Sequence, residues 1–177
     1  MATMVSYNAR MRDSEKRWIG VWLMVVMVSA AALQVGCSRN EPDAAKALQL
    51  TDVESGWFDA GIVNGQNKLV PTVSFRVKNV ADASISSVSF NTVFRVIGDP
   101  KELSASFLRG IDTLKPAEST QPMVARSTLG YTSPEPRLQM LQHSQFKDVE
   151  AEVFAKHRSN QWVSLGKYTV KRQLITQ

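Results

Sequence analysis

The strictest constraint on this chain is an alternation of side chains between Lys68 and Asn79. Val73, Phe75 and Val77 fall on one side, and Ser74, Arg76 and Lys78 on the other. A period of two with one apolar face predicts a strand packed on a core and solvated on its far side. A polar turn at 79–84 (NVADAS) follows, and Ile85 to Ile97 repeats the pattern. There Val88, Phe90, Thr92, Phe94 and Val96 point inward. Ser87, Ser89, Asn91 and Arg95 point outward, with Val93 an apolar exception on that face.

The remaining segments are read against these two strands. Leu48, Leu50 and Val53 begin a weaker strand, which 56–61 (GWFDAG) is expected to break. Asn64-Gly65 favours a tight hairpin turn. Gly98-Asp99-Pro100 closes the Ile85–Ile97 strand. Phe107 to Leu114 is mixed in pattern, and 114–118 (LKPAE) reads as a surface turn before Thr120 to Ser127. A short helix is expected near 137–143, with Leu138, Met140 and Leu141. Asp148 to Lys156 alternates Val149, Ala151, Val153 and Ala155 with Asp148, Glu150 and Glu152. A last strand spans Trp162 to Ile175. Short strands punctuated by Gly, Pro and Asn, with little helix, predict an all-β, immunoglobulin-like antiparallel β-sandwich over 48–177.

The N-terminal part obeys different physics. Arg10, Arg12, Lys16 and Arg17 outweigh Asp13 and Glu15, and then Trp18 to Leu33 runs sixteen residues without a charge. Small residues lead to Gly36 and to Cys37, the only cysteine of the 177 residues. A basic region, an apolar region and a small-residue exit make an export signal. A sixteen-residue helix is roughly 24 Å long, short against a hydrocarbon core of about 30 Å. Lipoprotein processing, an uncleaved membrane anchor and ordinary secretory cleavage all fit. Each places the domain outside the cytoplasm. Either Met1 or Met11 can serve as the start, since MRDSEKR is itself a typical basic region.

Two resemblances attach to these residues. The stretch ending VGC at Cys37 resembles a bacterial lipoprotein signal peptide, although Gln34 stands where that pattern carries Leu. The resemblance implies cleavage after Gly36 and acylation of Cys37. Membrane lipid is then the first partner, with residues 37–47 a polar tether. Ser38 resembles an outer-membrane sorting residue, if the cell is Gram-negative. Val73 to Asn79 with Ile85 and Val88, and the later LKPAE turn, resemble small immunoglobulin- or fibronectin-like envelope domains of the FxLYD and water-stress types. No F-x-L-Y-D motif occurs here. That group implies a fold and no common catalytic activity.

Composition narrows the rest. From Cys37 on there are seventeen basic and fourteen acidic side chains, mixed in sign, with no basic run of the kind that binds nucleic acid. A single cysteine excludes an intramolecular disulfide framework and a multi-thiolate metal site. There is no phosphate-binding glycine motif and no nucleophile elbow. Asp148, Glu150 and Glu152 share a strand face, which reads as a solvated face rather than a metal site. His143 and His157 fall in loops, and no catalytic or cofactor site is expected. Trp57, Phe58 and Tyr131 are the candidate partner contacts, although aromatics so placed more often fold back to cap one end of a sandwich. Lys167, Lys171 and Arg172 are candidates for anionic lipid or glycan, against the ordinary reading of strand-face charges. The expected function is therefore a non-enzymatic, membrane-anchored envelope lipoprotein whose sandwich binds an envelope protein or glycan. The alternatives are a membrane-spanning subunit of an envelope complex, or a ligand-binding or catalytic domain with the 128–144 loop as a lid.

Overall fold

A computed structural model describes residues 42–175; Trp18–Leu33, Gly36 and Cys37 lie outside that range. The chain forms an antiparallel-rich β-sandwich with one short helix in the predicted place. The elements are α1 (Ala44–Ala47), β1 (Leu48–Val63), β2 (Gln66–Asn79), β3 (Ile85–Val96), β4 (Glu102–Leu114), β5 (Met123–Arg126), β6 (Tyr131–Ser133), α2 (Arg137–Gln142), β7 (Val149–His157), β8 (Val163–Thr169) and β9 (Leu174–Ile175). One sheet is ordered β5-β2-β1-β9, with β6 also on β2, and the other β4-β3-β7-β8. This is the immunoglobulin-like split, in which the chain crosses between sheets after β2, β4, β6 and β8.

The alternating strands supply the core. Val73, Phe75 and Val77 of β2 are buried opposite Val88, Phe90 and Phe94 of β3 and Val149, Ala151, Val153 and Ala155 of β7. The β1–β2 hairpin turns at Asn64-Gly65, both at positive φ (51° and 78°), as a two-residue turn with matching twist demands.

Three expectations change. The glycines of 56–61 do not break β1. Register shifts between Thr51 and Glu54 and between Asp59 and Ile62 absorb the irregularity, with Asp52 and Gly61 at positive φ. The segment read as mixed is the thirteen-residue β4, whose two register shifts against β3 scramble its period. The last strand is two: β8 stays in the four-stranded sheet, and the chain then crosses to lay β9 parallel to β1. Ser55 fastens that crossing, its hydroxyl donating to Thr169 O (3.1 Å) and accepting from Lys171 N (3.2 Å).

The end of the stretch read as tether also joins the fold. Ala44–Ala47 forms one helical turn capped by Asp43, and Ala44 and Ala47 are buried against the core. Their small side chains let the turn sit close beneath the sheets, and Ala47 O accepts from Val80 N (2.8 Å).

Candidate interaction surface

The outer face of the four-stranded sheet holds an aromatic row that alternation alone does not explain. In register, Phe107 of β4, Asn91 of β3, Phe154 of β7 and Ser164 of β8 lie side by side across the strands. The next row is Ala105, Val93 and Glu152. Phe107 is 74% exposed and Trp162, in the β7–β8 turn, 38%. Their rings pack edge to face at 6.2 Å between centroids. β4 and the β7–β8 turn lie on opposite sides of β3, so the two rings meet across its face. The Lys156 ammonium sits 5.2 Å from the Trp162 centroid. Asn91 Oδ1 is shielded from solvent and finds no hydrogen-bond partner among the described residues. Aromatic anchors of this kind concentrate binding energy at interfaces.

Next to this row the face is an ion-pair lattice. Arg95 reaches Glu152 (3.0 Å) and Glu102 (3.6 Å), Lys167 reaches Glu150 (3.1 Å), and Ser164 donates to Glu152 (2.9 Å). The carboxylates Glu150 and Glu152 thus face cations and hydroxyls on neighbouring strands. Asp148 lies beyond them and takes Arg172 (2.6 Å). Among the described residues no group of three His, Cys, Asp or Glu is placed to hold a metal.

The residues singled out from the sequence go elsewhere. Trp57 is 2% exposed, its ring 4.5 Å from that of Phe146; as core it cannot touch a partner, which corrects its reading as a contact. Apolar burial of so large a ring outweighs any role in a turn. Phe58 is half-buried beneath the Arg126 guanidinium, 3.8 Å from the ring centroid. Tyr131 leans on Phe146 (4.9 Å) and donates to Gln145 O (3.0 Å). His157 is not in a turn but ends β7, 2% exposed, because the inward series of that strand extends to it. His143 follows α2, its Nδ1 accepting from Gln145 N (3.1 Å).

The 128–144 loop is a built cap. Met140 and Leu141 are buried, as is Phe146 just beyond, while Leu138 is exposed. Gly130 packs so tightly on Leu69 O that a Cβ there has no room. Arg172, read as a lipid or glycan contact, ties this cap down. It bonds Asp148 twice (2.6 and 3.1 Å) and donates to Phe146 O (3.0 Å) and Leu141 O (3.4 Å). The Arg172 hydrogen bond holds the Asp148 carboxyl below its usual value, and Arg137 does the same for Asp59. A depressed carboxyl stabilises the fold above the unfolded value of about 3.9 and loses that contribution as pH falls through the folded value. Protonation of these two exposed carboxyls is therefore expected to remove a modest, salt-screened part of the stability in acid. Arg172→Gln should flatten the acid limb of a stability–pH profile below about pH 4 and change its shape little near neutrality. An unchanged acid limb would show that the pair is solvent-screened.

The missed surface left two marks in the sequence. Val93 breaks the polar side of β3, and Phe154 stands in the outward register of β7 among Glu150, Glu152 and Lys156. Trp162, just outside a strand, gave no signal of its own.

No family model matches the chain, and no curated protein matches it. Among solved structures, it is similar to Northeast Structural Genomics Consortium target SoR45, at 8% identity and a TM-score of 0.43 over 72% of this chain and 89% of that one. A protein from Archaeoglobus fulgidus gives 11% identity and a TM-score of 0.37 over 68% and 92%.

Proposed function

We propose that this chain is a non-enzymatic envelope lipoprotein, held at a membrane by acylated Cys37, whose sandwich binds an envelope component through the outer face of the four-stranded sheet. The observation that carries the binding role is the exposed Phe107–Trp162 pair over Asn91, flanked by Lys156. The anchoring role rests on the basic, apolar and small-residue succession that ends at Cys37. The likeness of the Val73–Asn79 and LKPAE segments to small immunoglobulin-like envelope domains supports the same reading. Acyl chains contribute about 0.8 kcal/mol per buried CH₂, so two or three chains hold the domain firmly. A short tether then keeps it at high local concentration near membrane partners. If the cell is Gram-negative, Ser38 after Cys37 favours the outer membrane, with the domain facing the periplasm or the exterior.

Intact mass of the full-length chain extracted from membranes tests the anchor. The expected product begins at Cys37 with added acyl mass, and Cys37→Ser loses both changes. A full-length unmodified mass in both would sink the lipoprotein reading and favour a retained membrane segment. The surface is tested in the same preparation with a photo-reactive residue at position 162. One discrete adduct is expected there, and none from position 113 on the same sheet. Equal yields from both positions would remove the outer face as the binding site.

A further inference from the structure

β4 is the last strand in the order β4-β3-β7-β8, so one row of its backbone N–H and C=O groups faces away from β3 with no strand among the described residues hydrogen-bonded to it; the other sheet approaches β4 only through side chains on its inner face, as where Ser104 Oγ meets Ser127 Oγ at 2.6 Å. Such an edge templates strand addition unless charge, proline or a bulge blunts it. The stretch 103–108 (LSASFL) has none of the first two, and from Ser104 to Leu108 its pairing with β3 is regular. The register shifts lie outside that run, near Glu102 and between Leu108 and Ile111. The opposite edge, β8, is defended differently: Lys167 lies on it, and its pairing with β7 shifts in mid-strand.

The outward side chains of β4 are self-complementary. Phe107 and Ala105 lie opposite Asn91 and Val93, and Glu102 lies opposite Arg95. Leu108 and Ile111 oppose Phe90 and Val88, so Arg109 and Gly110 share the outward place opposite Ser89. Turn a second copy about a two-fold axis through Ser106, perpendicular to the sheet. Phe107 of each copy then meets Ala105 of the other, a large residue beside a small one, and Arg109 of each approaches Glu102 of the other. Glu102 is 55% exposed and able to take a second cation. Cross-strand pairs of opposite charge and fitting size are what stabilise antiparallel neighbours. Moving the axis to Phe107 stacks phenylalanine on phenylalanine and sets Ala105 against Arg109. Moving it to Ala105 sets Phe107 against Glu102. One register satisfies both matches.

We propose that two copies join edge to edge through β4 in this register, making one eight-stranded sheet. Such an interface is isologous, each copy offering the same patch. Because the axis is perpendicular to the sheet, both Phe107–Trp162 faces lie on the same side of it. The pairing stands whether or not that face binds an envelope component, since Trp162 takes no part in it.

The test is sedimentation equilibrium of the full-length chain in density-matched detergent, with circular dichroism confirming that each variant folds. The native chain should show a monomer–dimer equilibrium. Phe107→Ala and Arg109→Glu should each weaken it by about tenfold. The exchange Ala105→Phe with Phe107→Ala restores a large-beside-small pair and should return the dimer to within about threefold of native. Trp162→Ala should leave it unchanged. A native chain that stays monomeric at every concentration would overturn the proposal. So would a double exchange as weak as Phe107→Ala alone. Weakening by Trp162→Ala equal to that by Phe107→Ala would indicate a face-to-face contact and overturn it as well.

Discussion

Asn79→Ala is expected to destabilise the domain by about 2–4 kcal/mol, a large loss for a residue that reads in the sequence as the start of a polar turn. The side chain is 0% exposed. Its Nδ2 donates to Leu114 O and Ala83 O, each at 2.9 Å, and its Oδ1 accepts from Ala81 N at 3.0 Å. The backbone of Asn79 adds two bonds, donating to Glu118 O and accepting from Ala117 N, both at 2.9 Å. One residue thus joins the end of β2, the 79–84 turn, the end of β4 and the turn before β5. Truncation leaves three polar groups without partners. Ala81 and Ala83 lie near solvent, so water can replace the bonds to them at small cost. Leu114 is 3% exposed, so its carbonyl would stay buried while losing the amide donor, which sets most of the estimate. Urea unfolding measures the difference; a loss below about 1 kcal/mol would mean that the loops hold without the amide. Asn79→Asp separates the donor from the acceptor. It keeps an acceptor for Ala81 N but turns a carboxylate oxygen toward Leu114 O, so it should be worse at neutral pH than near pH 4.

What was legible follows from periodicity. β7 keeps a strict period of two in burial, and the apolar inward residues Val73, Phe75 and Val77 of β2 and Val88, Phe90, Thr92 and Phe94 of β3 are buried as their alternation predicts, although Thr72, Ser74 and Val93 on the other side of those strands are covered as well. Helix α2 was visible because Met140 and Leu141 interrupt a polar loop. β4 was not, because its register shifts move the alternation out of phase at both ends. The break between β8 and β9 was hidden for a different reason. It depends on Ser55 and Gly56, more than a hundred residues away. A Cβ on Gly56 would stand 2.9 Å from Gln173 O, so glycine is what lets β9 close on β1. No local pattern encodes that meeting. The candidate surface was half legible. Val93 and Phe154 are apolar residues in outward registers, and only the pairing of β3 with β7 shows that they flank one patch. Of the aromatic residues that stood out in the sequence, Trp57 and Tyr131 fold back onto Phe146, the capping alternative for residues so placed, because exposure is a property of the whole sandwich. Trp57 lies in β1 where the ring of Phe146 packs on it, and no neighbour in sequence announces that contact.

Trp57→Ala should cost about 3 kcal/mol, the low end of the range for deleting a buried aromatic ring. Two terms compete. Removing the indole empties a space lined by Phe146 and the core, and forfeits an edge-to-face contact at 4.5 Å between centroids. Against this, Trp57 Nε1 is buried and finds no acceptor among the described residues, so deleting it also removes a desolvation penalty of about 1 kcal/mol or more. The ring term wins because it scales with the whole buried area, while the polar term involves one atom. Trp57→Phe isolates the second term: it keeps most of the ring, drops the unpaired N–H, and should lie within about 1 kcal/mol of native. Trp162→Ala supplies the contrast. Trp162 is 38% exposed and touches Phe107 and Lys156, so its loss should change stability by less than about 1 kcal/mol while abolishing partner binding at the outer face. The chain carries four tryptophans, so emission separates these two only in variants where Trp18, Trp22 and the other of the pair are replaced by Phe; Trp57 is then expected blue-shifted and protected from quencher, and Trp162 red-shifted and accessible. Equal stability losses at the two positions would place Trp57 at the surface and return it to the candidate contacts. A large loss at Trp57 alone, with binding lost only at Trp162, would divide the two tryptophans between holding the sandwich together and presenting it to a partner.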